Sequence, residues 1–101
     1  MTIRITDTQE YDEFIHELII LIAARNRLIN RQRQQKDAYN ELAAVTKSQR
    51  RIIPLAQALW KLLPGDAGPR VARKGKRLVV VGSDGDVWVN AHRVAGEVDH
   101  E

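Results

Sequence analysis

Residues 24–38 read ARNRLINRQRQQKDA, and whether this stretch turns or stays helical decides the architecture. Asn26, Asn30 and the polar run 31–36 favour a turn, which would fold the chain into a helical hairpin. Against that, the stretch has no glycine or proline, and Arg, Gln, Lys and Leu are good helix formers. A seven-residue spacing also stays in phase across it. One frame is Tyr11, Leu18, Arg25, Gln32, Tyr39, Thr46 and Ile53, and its companion is Phe14, Leu21, Leu28, Gln35, Leu42, Gln49 and Ala56. The residues therefore predict one continuous helix from about Thr8 to about Arg51.

A lone helix cannot bury such a stripe in water, so neighbouring chains must cover it. Tyr11, Phe14, Leu18, Leu21, Arg25, Leu28, Gln32, Gln35, Tyr39 and Leu42 form the expected oligomer interface. Its polar centre, Arg25, Gln32 and Gln35, would fix register and strand number, because misaligned helices leave hydrogen-bonding groups unpaired. The plainer alternative is a helix packed at its two ends and solvated between them.

On the N-terminal side, residues 2–5 alternate as a short extended arm, and Thr6, Asp7 or Thr8 can cap the helix. On the C-terminal side, Pro54 lacks a backbone donor and should stop the helix at Ile53, which divides the chain into 1–53 and 54–101. A short helix then follows, with Leu55, Ala58, Leu59, Leu62 and Leu63 on its apolar face and Trp60 beside it, ended by Pro64 and Gly65. Residues 64–76 read as an irregular basic connector. Residues 78–81 and 87–91 read as a terminal β-hairpin around Ser83-Asp84-Gly85-Asp86, with Leu59, Trp60, Val79, Val81 and Trp88 in a second core. An acidic tail, 96–101, closes the chain. The fold class is α+β and predominantly helical.

Composition narrows the chemistry. In 101 residues, 44% are hydrophobic but only 5% aromatic, so the core must be aliphatic. The absence of cysteine excludes disulfides, cysteine zinc sites and thiol catalysis. The run 18–24 is far below the roughly 20 residues that span a bilayer, and the acidic start is unlike a secretory signal. A cytoplasmic or virion-associated location is expected.

Motifs for catalysis are lacking. His16 has no second histidine one helical turn on, as a zinc hydrolase needs. Asp84 and Asp86 flank Gly85 without the other ligands of a calcium loop, and Gly82 and Gly85 precede no phosphate-binding GK[ST] sequence. Ser83 has no activating neighbour. No enzyme, metal or cofactor is expected.

The net charge of +3 is unevenly spread. Asp7, Glu10, Asp12, Glu13 and Glu17 make an acidic start, Arg25, Arg27, Arg31, Arg33 and Lys36 a first basic block, and Arg70, Arg73, Lys74, Lys76 and Arg77 a second. With Trp88 nearby, the second block has the composition of a phosphate-tracking loop beside a stacking platform. It could equally face the acidic start of a neighbouring subunit.

The order of coiled coil, proline-containing connector and hairpin reading Asp84-Gly85-Asp86-Val87-Trp88-Val89 resembles the C-terminal trimerisation module of phage whisker fibritins, which carries an Asp-Gly-x-Trp-Val turn. Here an extra residue separates Gly85 from Trp88, and the short helix has no counterpart. The resemblance implies a parallel trimer closed by hairpins. The expected function is a small self-associating structural or adaptor protein, such as a phage fibre, neck or tail component, with itself and other structural proteins as partners. A second reading is a nucleic-acid-binding accessory protein using the basic connector. A third is a small inhibitor docking its helix into a host protein's groove.

Overall fold

A computed structural model describes residues 4–96. After a 3-10 turn at Ile5–Asp7 come two helices, α1 (Gln9–Arg33) and α2 (Tyr39–Leu62), and four strands, β1 (Arg70–Lys74), β2 (Arg77–Val81), β3 (Val87–Val89) and β4 (His92–Ala95). The protein is α+β, with about 56% helix and one antiparallel sheet in the order β1-β2-β3-β4.

Helix α1 begins where Thr8 caps it. The Thr8 hydroxyl oxygen accepts from the Tyr11 N–H at 3.3 Å and donates to the Ile5 carbonyl at 2.6 Å. Glu10 and Asp12 in the first turn and Arg31 and Arg33 in the last complement the helix dipole.

The expected continuous helix is corrected at residues 34–38. Gln35 adopts φ +57°, the left-handed conformation that ends many helices. Its N–H donates to the Gln32 carbonyl at 3.0 Å and the Lys36 N–H to the Arg31 carbonyl at 3.1 Å, the two bonds of a Schellman cap. Arg31 fixes the turn by donating from Nη2 to the Asp37 carbonyl at 2.9 Å, and the Asp37 carboxylate accepts from the Tyr39 N–H at 3.1 Å. Helix propensity loses to burial here. A straight helix would leave Phe14, Leu18 and Leu21 bare, whereas the turn lets α2 pack along α1 and enclose them.

Pro54 does not end a helix either; it lies inside α2. It is exposed, so the carbonyl of Arg50 that loses its intrahelical donor can turn to water. The buried positions Val45, Ser48, Ile52, Ala56 and Leu59 keep helical spacing through it. Their burial outweighs a local cost of about 3 kcal/mol. The helix therefore runs unbroken across the division expected at residue 53.

The connector also proves structured. Residues 70–74 form β1, which pairs Ala72 with Val79 and Lys74 with Arg77. Gly75, at φ +62°, opens the two-residue loop to β2. The expected hairpin is the inner pair, β2 and β3, and a second two-residue loop, Asn90-Ala91, leads on to β4. Val79, Val81, Val87, Val94 and Ala95 are buried against the helices, joining Leu59 and Leu63 in one core. Trp60 and Trp88 are only half-buried. Of the expected arm, Arg4 is extended and Ile5 opens the 3-10 turn, while residues 2–3 and the tail 97–101 lie outside the described residues.

Candidate protein-interaction surface

The expected interface residues divide into three groups. Tyr11, Phe14, Leu18 and Leu21 are buried within the chain itself, so in this fold they are core. Arg25 and Leu28 are half-buried, and Gln32, Gln35, Tyr39 and Leu42 are exposed. The buried positions of α1 stop at Ala24 and those of α2 start at Val45. The molecule measures 52 × 27 × 21 Å, and the helices' turn end extends beyond the sheet-covered core.

Two stripes record where the cover runs out. Residues seven apart share one side of a helix. On α1, Ile15 and Ile22 pack against the core, whereas Ile29, next on that stripe, is 37% exposed. On α2, Ala56 is fully buried and Gln49 donates to the Val94 carbonyl of β4 at 3.5 Å, whereas Leu42 is 54% exposed. Tyr39, one turn before Leu42, is 74% exposed. Along these two stripes the side chains are covered towards the base and bare towards the turn, while Ile19 and Ile20 on another side of α1 are exposed as well.

A shallow groove lies there, lined by Tyr39, Leu42, Ala43, Thr46, Lys47 and Arg50. Its surroundings are cationic. Residues 25–50 carry Arg25, Arg27, Arg31, Arg33, Lys36, Lys47 and Arg50 against Asp37 and Glu41 only, and Glu41 is 3.8 Å from Arg31. A second groove, lined by Asp12, Glu13, His16, Glu17 and Leu55, is acidic. One carboxylate oxygen of Glu17 is buried without a hydrogen-bond partner among the described residues. Sequence reading named Tyr39 and Leu42 but missed Lys47 and Arg50, which follow Ala43 at helical spacing.

The second basic block is largely turned to structural use. On β1, Arg70 and Lys74 flank buried Ala72 on the inward face. Arg70 reaches the end of α2, where its Nη1 donates to the carbonyls of Trp60 at 2.9 Å and Leu63 at 3.2 Å. Lys74 reaches the start of α1, 3.9 Å from the Asp7 carboxylate and 5.9 Å from the Tyr11 ring centre. Arg73, Lys76 and Arg77 stay exposed around the β1–β2 loop. Trp88 is half-buried with Arg93 5.8 Å from its ring centre, which leaves less of its face open to a stacked base.

Among the described residues no group of three or more His, Cys, Asp or Glu could hold a metal ion, and no helix is long and apolar enough to cross a membrane. Comparison with known proteins finds no matching family model, no matching curated protein and no matching solved structure.

Proposed function

We propose that the protein is a small interaction module that assembles with copies of itself, in a structural or adaptor role, through the turn end of its helix pair. The observation that carries this reading is the bare end of two stripes, at Ile29 and Leu42, whose members farther from the turn pack within the chain. Fully burying a leucine or isoleucine contributes about 1.5 to 3 kcal/mol, so this surface gains from a partner. The assembly differs from a long coiled coil, because Tyr11, Phe14, Leu18 and Leu21 are already enclosed.

Nucleic-acid contact through the second basic block is less well supported, since Arg70 and Lys74 are held by the helix ends. The test is mass in solution by light scattering over a concentration series. The wild-type chain should exceed the single-chain mass of 11.5 kDa, and Leu42→Asp should return it to that value while leaving the helical circular dichroism unchanged. A wild-type chain of single-chain mass at every concentration rules out self-assembly.

A further inference from the structure

The two grooves differ in charge, and that difference points to what fills the basic one. Resting on the self-assembly reading above, we infer that the groove at Tyr39, Leu42, Thr46, Lys47 and Arg50 receives the acidic start of α1 from a second copy.

Charge complementarity argues for this occupant. Residues 7–17 carry Asp7, Glu10, Asp12, Glu13 and Glu17 with no lysine or arginine, the reverse of the balance over residues 25–50. Within one chain the two sets are held apart, because the acidic set opens α1 while the basic set surrounds the turn after it. A second copy can bring the two sets together. Opposed fields of this kind steer encounter and fix which surfaces meet.

Each groove also lacks what the other supplies. The basic groove exposes an apolar floor at Leu42 and two cations, Lys47 and Arg50, for which no ion pair is found among the described residues. The acidic groove offers Leu55 beside the carboxylates of Asp12 and Glu13, which are exposed. Docking one on the other pairs apolar with apolar and turns exposed charges into charge-assisted hydrogen bonds. Since the contact joins two different patches, each copy keeps one donor groove and one acceptor groove, and successive copies can add head to tail.

The test uses two charge-reversed versions of the full chain, Lys47→Glu with Arg50→Glu, and Asp12→Lys with Glu13→Lys, all at exposed positions. Each alone should dissociate, its Kd raised about 10-fold or more, because like charges then face each other. An equal mixture of the two should associate again, since each restores the other's complement. Roughly 1 M salt should weaken the wild-type assembly, as the screening length falls to about 3 Å. If both variants keep the wild-type mass, or the mixture stays dissociated, the acidic groove is not the occupant. Loss of assembly in Leu42→Asp alone would then leave self-assembly standing and sink only this pairing. Binding of polyuridylic acid by the basic end, lost in the Lys47 and Arg50 variant without any change of mass, would assign the groove to phosphate instead.

Discussion

Arg70 sits over the indole of Trp60, its guanidinium carbon 3.6 Å from the ring centre, while the same guanidinium caps the helix that carries the tryptophan. Its Nε donates to the Asp66 carbonyl at 2.8 Å, and Trp60 Nε1 donates to the Gly68 carbonyl at 2.9 Å. The loop from α2 to β1 is closed by this one pair. Arg70→Ala should destabilise the protein by about 2–3 kcal/mol, from the cation–π contact and the charge-assisted bonds to carbonyls at the helix end. Arg70→Lys keeps the charge but not the planar fork, and should recover less than half of that loss. Thermal melts of the three proteins check it; equal stability of all three would contradict the assignment.

Gln35 occupies a backbone site that suits glycine. A non-glycine residue in this conformation costs roughly 1 kcal/mol, so Gln35→Gly should raise the unfolding free energy by about that amount, seen as a higher midpoint in urea at unchanged slope. A lowered midpoint would mean that the Gln35 side chain contributes something its exposure does not suggest.

Gly85 is where the β2–β3 loop meets α2. At φ +95°, a Cβ there would stand 2.7 Å from Ile53 Cγ2 and 3.2 Å from the Ile53 carbonyl oxygen. Gly85→Ala should therefore cost about 2–4 kcal/mol from strain and overpacking together. Gly75 is the control. Its φ is also positive, at +62°, but nothing lies within 4 Å of its missing Cβ, so Gly75→Ala should cost only about 1 kcal/mol. Similar losses at both sites would show that backbone conformation alone matters.

These residues show why the sequence was only partly legible. The start of α1 and the β2–β3 hairpin follow from local chemistry, and Thr8 proves to be the cap among the three candidates Thr6, Asp7 and Thr8. The turn after Arg33 is the weaker of two readings of residues 24–38, because a glutamine fills the place where glycine would announce it. Pro54 misled in the opposite direction, since its penalty falls on an exposed face while Ile52, Ala56 and Leu59 hold the helix from within. Strand β1 was hidden because its inward positions are Arg70, Ala72 and Lys74; the two long side chains reach past the core to the helix ends, so alternation never looks apolar. Of the interaction surface, Tyr39 and Leu42 were visible as apolar members of a seven-residue frame. Which parts of that frame stay bare depends on where the sheet ends, and spacing alone does not encode that.

Strand β1 ties Asp7, just before α1, to Trp60, near the end of α2, residues far apart along the chain that the turn brings to the same end of the helix pair. Both anchors come together only after the intervening turn has closed, so the helices must pair before the sheet can settle on them. Substitutions in β1, such as Lys74→Ala, should accordingly accelerate unfolding while leaving the refolding rate near that of the parent. Stopped-flow kinetics in denaturant would show this as a shift confined to the unfolding limb.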